Sequence, residues 1–464
     1  MKNIAIIGGN ISAVAVAYFL DRVLNSKSKK FNINIIEKKE HLSESNLSKF
    51  QYGQEIYDNG WYSSVRNVGP LFQLILELGL YKYLIKSKKK MKVIYDNSEI
   101  KTFPEKMFFS YPLDKIELLH SNVFTILEKI SLIFNLYKDE KIKNINSITI
   151  EEFFLKKINK NVYYKVIEPL LTSYYGSDIS NQNFSIILQE LSLIAIQNKK
   201  LNKILENMYN KQKDGDIYFG EEYRLKFTLT SIMENLESYF GSRVFIDLKS
   251  KVEEIEKINS KYVLTINNNK YIYDYLIVST NYKEFLHYFR NDRVLCDYYK
   301  NLSYNSGILL TIICEKGKIS LNTSIGEIIF NKNSNKNITN IEYFTNKWTE
   351  IKVNNIDIIK IYVKRQDKVK NLLLKSDKEI INILINELKE IHGDFEYKDI
   401  FLTKKIEDNI MINKDYQKNI DKINKHISEN YPNMYLTGML MKNNNLADTI
   451  IEAKEIVKKI IDNM

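Results

Sequence analysis

The sequence predicts an α/β fold in which a Rossmann-like domain, built on a parallel sheet, is interleaved with an α+β domain and carries a helical insertion. Three features predict it. The chain opens with a strand–turn–helix–strand pattern from Lys2 to Lys38. A long segment of helical character runs from Lys115 to about Gln212. Strand-like runs return at Arg243 and recur into the C-terminal region.

The run Asn3-Ile-Ala-Ile-Ile7 is short, apolar and closed by Gly8-Gly9, as expected for a strand buried on both faces of a parallel sheet. A helix follows from Ile11 to about Leu24. It is apolar nearly all round as far as Leu20, so it should lie against a sheet. Asn32 to Ile36 is the second strand, closed by Glu37. Residues from Tyr52 to Tyr83 mix turns with an amphipathic helix ending in Glu77-Leu-Gly-Leu80. In the helical block, Leu119, Val123, Leu127 and Ile130 recur at helical spacing, and Ile167 to Leu171 and Ile186 to Ile196 continue the pattern. Val244 to Ile246, Tyr262 to Ile266 and Tyr275 to Ser279 have strand composition, with a hairpin turn at Asn267 to Lys270. Further strands are expected at Ile308 to Cys314 and Ile358 to Val363, with a surface loop at Asn331 to Asn340 between them. Ile380 to Ile391 reads as a helix. Met434 to Leu436, Thr437-Gly438 and a closing helix complete the chain. The expected division is a discontinuous nucleotide-binding domain (1–60, 215–295 and 425–464), a largely helical insertion (61–214) and a mixed α/β substrate domain (296–424).

The 464 residues suffice for two or three domains. The net charge of +11 is spread along the chain and not gathered into aromatic-interleaved stripes, so nucleic acid is not the expected partner. A bias toward Lys, Asn, Ile and Tyr is the expected source, with a patch for a membrane surface or an anionic substrate as the alternative. The densest basic run, Lys86 to Lys92, reads as a solvated turn. Cys296 and Cys314 are far apart and in no paired motif, which fits a reducing cytoplasm. Five scattered histidines have no ligand-type spacing, so no metal site is expected. No signal-like segment precedes the first strand, and no apolar run reaches the ~18 residues of a membrane span. A cytoplasmic protein is expected, with peripheral membrane contact left open.

The turn after the first strand carries the chemistry. In a G-x-G-x-x-G fingerprint the first glycine makes the tight turn, the second lets the backbone approach a pyrophosphate, and the third lets helix and strand pack closely. Here those positions are Gly8, Asn10 and Ala13. Alanine is a common third residue. Asparagine at the second places a side chain near the phosphates, although it tolerates left-handed backbone angles that keep such a turn intact. Glu37, ending the second strand, stands where a carboxylate accepts from ribose hydroxyls. It disfavours a 2′-phosphate, so FAD or NAD is expected over NADP. A strand–helix–strand unit that binds nothing is the alternative.

Several segments, in order along nearly the whole chain, resemble the FAD-dependent protoporphyrinogen and coproporphyrinogen oxidases of the wider flavin amine-oxidase superfamily. Ile7-Gly-Gly-Asn-Ile-Ser-Ala-Val14 is similar to that family's Gly-Gly-Gly-Ile-Ser/Thr-Gly-Leu. Asp58-Asn-Gly-Trp-Tyr-Ser63, followed by Glu77-Leu-Gly-Leu80, keeps the spacing of its glycine-containing loop and next helix. Glu168-Pro-Leu-Leu171 with Tyr174-Tyr-Gly176 resembles Glu-Pro-Leu-Leu…Tyr-x-Gly. Val252 and Asp274 to Thr280 resemble its second FAD-contacting strand segment. Tyr435-Leu-Thr-Gly438 through Asp448-Thr-Ile450 keeps the register of Tyr-Leu-Ala-Gly and Gly-x-Gly-Ile-Pro-Asp-Cys-Ile, with Asn443 and Asn445 on the later glycines and Ala447 on the proline. Three family glycines thus become asparagine. The family's Gly-Gly after the ribose-binding acid is replaced by Glu40-His-Leu-Ser-Glu44.

The resemblance implies FAD, held by Gly8, Gly9, Asn10, Ile11, Ser12 and Ala13, by Glu37 and Lys38, by Gly60 and Trp61, by Val252 and Thr280, and by Gly438, Asp448, Thr449 and Ile450. It implies hydride transfer from a reduced substrate carbon to flavin, with oxygen or another acceptor taking the electrons, and a tetrapyrrole as substrate. Porphyrinogen propionates call for a cation, and Arg66 is the candidate, with a surface arginine as the alternative; Tyr62 and Tyr174 are candidates to line an apolar pocket, with ordinary core packing as the alternative. No side chain is nominated as acid or base. Two other classes stay open: a flavin amine oxidase or desaturase with another substrate, and a non-catalytic member with weakened FAD binding.

Overall fold

The computed structural model of the chain describes residues 1–42, 48–53, 55–61, 64–67, 69–88, 91–96, 98–103, 107–108, 111–112, 115–137, 144–175, 179–197, 200, 202–204, 222–348, 355–441 and 446–464. The first sheet is fully parallel. Its strands run in the order Val244–Asp247, Phe31–Ile36, Lys2–Ile7, Tyr275–Val278 and Met434–Leu436. Alternation along the first strand sends Ile4 and Ile6 into one core and Ala5 and Ile7 into another, so both faces of the sheet are covered. One core packs the helix Ile11–Ser26 against the C-terminal helix Leu446–Asp462. Strand order reverses at Lys2–Ile7, which leaves a crevice at the carboxyl ends of Lys2–Ile7 and Tyr275–Val278.

Strands expected near the middle of the chain are present. Val252–Ile258, Lys261–Ile266 and Asn269–Tyr273 form an antiparallel sheet. The connecting Asn267 and Asn268 both have positive φ (48° and 66°), the conformation of a two-residue type I′ hairpin.

The second large sheet has seven strands in the order Asp399–Ile410, Tyr304–Glu315, Ile356–Val363, Asn340–Tyr343, Ile325–Phe330, Met91–Asp96 and Glu99–Thr102. The last two correct the expected domain division, because they come from the segment read as a largely helical insertion. Val93, Ile94 and Tyr95 are buried in that sheet. The basic run before them masked a β-branched, strand-forming stretch. The run Lys86 to Lys92, read as a solvated turn, overlaps the end of the strand Leu84–Lys86 and the start of Met91–Asp96, and its residues 89–90 are outside the described residues.

Beyond residue 115 the insertion is helical, in Lys115–His120, Ile126–Tyr137, Ile150–Lys157, Glu168–Tyr175 and Gln189–Gln197 among others. The series Leu119, Val123, Leu127, Ile130 is not one buried face. The helix breaks between residues 120 and 126, Val123 is buried in the break, and Leu119 and Leu127 are 57% and 79% exposed. The expected surface loop from Asn331 is anchored at its start, since buried Asn331 donates to Asp96 at 2.7 Å.

One face of the seven-stranded sheet is apolar. Ile308, Leu310, Ile312, Ile359 and Ile361 pack on Ile380, Leu384 and Leu388 of the helix Asp377–His392. Because side chains alternate, the opposite face carries Thr311, Lys360 and Tyr362, and this face meets the loop at residues 58–61.

Candidate active site

Three loops converge at the crevice between the parallel strands. Gly8 has φ 106°, and a Cβ there would lie 2.3 Å from the Ser279 carbonyl oxygen, so only glycine fits. The Glu37 carboxylate accepts the Gly9 N–H at 2.6 Å and the Lys39 N–H at 2.9 Å, which fixes it beside the turn. Asn10 is the N-cap of the helix Ile11–Ser26, its Oδ1 accepting from the Ala13 N–H at 3.1 Å. Its φ of −83° corrects the expectation of a left-handed asparagine. The same side chain donates to the Ser279 carbonyl at 2.8 Å, and the Ser279 hydroxyl donates back to Asn10 Oδ1 at 2.7 Å. Gly438 closes the group. A Cβ on it would lie 3.1 Å from both Ser12 Oγ and Ser279 Oγ. Asn443 and Asn445 lie outside the described residues.

Behind Gly438, Glu452 Oε2 accepts from Thr437 Oγ1 at 2.8 Å and from the Gly438 N–H at 3.1 Å. Burial pushes this carboxyl up to about 7, against the pull of those two donors.

The residues present fit an adenine dinucleotide. A carboxylate stands at the end of the second strand, glycine lines the turn, and the buried Thr280 hydroxyl at the crevice has no hydrogen-bond partner among the described residues. Lys38 is paired with Glu284 at 2.6 Å. Ile11, Ser12, Ala13, Val252, Thr449 and Ile450 are buried. Asp448 sits in the first turn of the C-terminal helix.

The second half of the site is the polar face of the seven-stranded sheet. Asn59 accepts from Thr311 Oγ1 at 2.7 Å and donates to Thr403 Oγ1 at 3.2 Å. Lys360 Nζ donates to the Asp58 carbonyl at 2.7 Å. The Asp58 carboxylate faces Arg224 at 3.7 Å and accepts the Leu229 N–H at 2.9 Å. Burial pulls Lys360 down to about 8 and pushes Asp58 up to about 6.

Gly60 is buried and Trp61 half-buried. The Trp61 indole fills the space where Gly307 has no side chain, 2.4 Å from an added Cβ. Lys364 and Lys405 lie 5.9 and 5.8 Å from its ring centre. Arg66 and Tyr174 come together, with Arg66 Nε donating to the Tyr174 hydroxyl at 3.1 Å and its guanidinium over the ring. Tyr62 lies outside the described residues. The sequence reading missed Lys360, Lys364, Lys405 and Glu452, and held Ser279 only within the run Asp274 to Thr280. Of the four missed, Lys360 carried a signal, as a lysine at a strand position between isoleucines.

No family model matches the chain. Several curated relatives nevertheless align from end to end. It is 23% identical to coproporphyrinogen III oxidase of Staphylococcus aureus, over 99% of each chain. It is 22% identical to protoporphyrinogen oxidase of Dictyostelium discoideum, again over 99% of each. Among solved structures, a provisionally named protoporphyrinogen oxidase from Exiguobacterium sp. 255-15 superposes with a TM-score of 0.86 at 19% identity, covering 100% of this chain and 99% of that one. A redesigned putrescine oxidase superposes with a TM-score of 0.65 at 10% identity, covering 100% and 99%. The chain is thus a divergent relative of the porphyrinogen oxidases, with the α/β architecture of flavin-dependent oxidoreductases. Among the described residues, no helix is long and apolar enough to cross a membrane, and no cluster of side chains could hold a metal ion.

Proposed function

We propose that the chain is a FAD-dependent oxidase or dehydrogenase that oxidises a porphyrinogen-type substrate. The observation that carries this reading is the pairing of one crevice, lined by Gly8, Glu37, Thr280 and Gly438, with a cationic, aromatic sheet face around Trp61. Bound FAD would supply the hydride acceptor. Glu37 would orient the adenosine ribose, and the turn at Gly8 would bring backbone close to the pyrophosphate. Loop 58–61, held on the seven-stranded sheet by Asn59 and Asp58, would position substrate against the flavin. Arg66, fixed on Tyr174, would take a propionate. Molecular oxygen or another acceptor would receive the electrons.

The test is direct. Purified protein should carry a flavin absorbance band, release FAD on denaturation, and produce peroxide with coproporphyrinogen or protoporphyrinogen when oxygen is the acceptor. A colourless protein that takes up no added FAD overturns the reading. Turnover of amines but not porphyrinogens would favour an amine oxidase, a reading supported by the fold shared with putrescine oxidase.

Peripheral membrane contact is part of the proposal. Leu119, Ile126, Leu127 and Phe134 of the helices Lys115–His120 and Ile126–Tyr137 are all more than half exposed. Co-sedimentation with anionic vesicles, reduced when Leu127 and Phe134 are replaced by serine, is the expected outcome.

A further inference from the structure

Lys364 follows the strand Ile356–Val363 and is 7% exposed. Its ammonium donates to the Ser173 carbonyl at 2.5 Å and lies over the Tyr362 ring at 4.6 Å. Among the described residues it makes no direct ion pair with a carboxylate. The carboxylates that act on it from farther off are engaged elsewhere: Glu327 is paired with Lys92 at 2.8 Å and accepts the Ser173 hydroxyl at 2.6 Å, and Glu342 is paired with Lys347 at 3.3 Å. A buried ammonium without a direct counter-ion is costly, and an anion that completes it at work offsets that cost. The neighbouring Trp61 indole N–H is also buried and without a hydrogen-bond partner among the described residues. Lys405 shares the same indole. Ser173, the acceptor for Lys364, adjoins Tyr174, the partner of Arg66.

We propose that Lys364, supported by Lys405, anchors a carboxylate on a flat, apolar substrate that lies beside Trp61. The cluster supplies what such a ligand needs, namely cations at the edge and an aromatic wall with an indole donor. This subsite is additional to Arg66, and it explains how a substrate with several carboxylates would be fixed in one orientation. It rests on the reading that this sheet face takes a carboxylate-bearing tetrapyrrole. Burial brings Lys364 down to about 8, so it still carries its charge at neutral pH.

The chain has two tryptophans, and Trp348 is fully buried, so quenching of Trp61 fluorescence reports on ligand binding at this face. The flavin-loaded protein is titrated with coproporphyrin III, with its tetramethyl ester, and with 1-pyrenebutyrate. The free acid should bind wild type about tenfold or more tightly than the ester. K364M should lower affinity for the free acid about tenfold while leaving the ester unchanged, and K405M should act in the same direction by less. W61F should remove the quench. A purely structural lysine would shift acid and ester together or neither, and either result overturns the anchor. K405M, at a half-buried position, keeps the test decisive if K364M does not fold; unchanged acid binding there would then overturn it. Lysine-dependent binding of pyrenebutyrate without porphyrin binding sinks the tetrapyrrole reading and keeps the anchor. Porphyrin binding indifferent to both lysines does the reverse. Failure of wild type to bind either acid overturns the anchor.

Discussion

The dinucleotide crevice and the sheet face around Trp61 are built on opposite principles. The crevice is stitched by short, mostly neutral bonds at strand ends, with Asn10, Ser279 and Gly438 within contact of one another. Its two carboxylates, Glu37 and Glu452, are satisfied by backbone N–H groups. The sheet face is instead crowded with buried charge. Asp58 and Arg224 face one another, Lys347 bridges Glu222 and Glu342, and Arg365 pairs with Glu168 at 3.1 Å. Neutral stitching keeps a nucleotide site open to an anionic ligand. A charge lattice fixes side chains for a substrate but is intolerant of any missing member.

That intolerance gives the largest expected effect. Glu168 is fully buried, and its loss leaves Arg365 charged and unpaired in the interior. Glu168→Ala should cost about 3–5 kcal/mol in denaturant unfolding. A cost below about 1 kcal/mol would show that the lattice is wet and weak.

Steric tightness, not charge, governs the crevice. Gly8→Ala combines a positive φ with a methyl 2.3 Å from the Ser279 carbonyl, and should cost about 3 kcal/mol and abolish flavin retention. Gly79 is left-handed (φ 68°, ψ 14°), yet among the described residues nothing lies within 4 Å of its missing Cβ. Gly79→Ala should therefore cost only about 1 kcal/mol, from backbone strain alone, and leave flavin bound. Equal costs for the two variants would remove the close approach as the explanation.

Glu452 is where the crevice borrows the chemistry of the other region. Burial, with Glu455 and Asp448 nearby, raises its carboxyl from the ordinary 4.5 to about 7. The folded chain therefore holds a proton that the unfolded chain has released between those values. Stability should fall as pH rises through this window and level off above about 7. Allowing for partial solvent exposure, the wild type should lose on the order of 1–2 kcal/mol between pH 5 and pH 8 relative to Glu452→Gln. Parallel stability–pH curves for the two proteins would contradict this.

The contrast also explains what could be read in the sequence. The crevice is local, since Gly8, Asn10, Ala13 and Glu37 fall within one strand–helix–strand unit and each position demands a residue type. The matched run at Gly438 extended the reading to the far end of the chain. The sheet face draws on residues near 58, 66, 173, 224, 327, 360 and 405, and no short spacing records that assembly. In a chain with 68 Lys and Arg residues, Lys364 and Lys405 do not stand out by type. The strand Met91–Asp96 was hidden for a related reason, because a basic run before it drew attention to solvent. Exposed Leu119 and Leu127 matched a helical period that tertiary packing did not use.

Asn10 sharpens the comparison at its smallest scale. From sequence, a side chain at the second glycine position threatened the pyrophosphate. In the fold its amide is turned onto Ser279 and its oxygen onto the first turn of the helix. The side chain thus joins two of the cradle's three loops and packs against Gly438 in the third. Asn10→Gly should restore the family's turn yet lower stability by about 1 kcal/mol, through the lost cap and the orphaned Ser279 hydroxyl. If the stitch organises the crevice, FAD affinity in the variant should stay level or fall, because the loops lose their mutual alignment. An affinity gain of about tenfold or more, 1.4 kcal/mol, would mean instead that the asparagine oxygen competes with phosphate for the helix N-terminus. The sign of that one change separates a cradle built around asparagine from one obstructed by it.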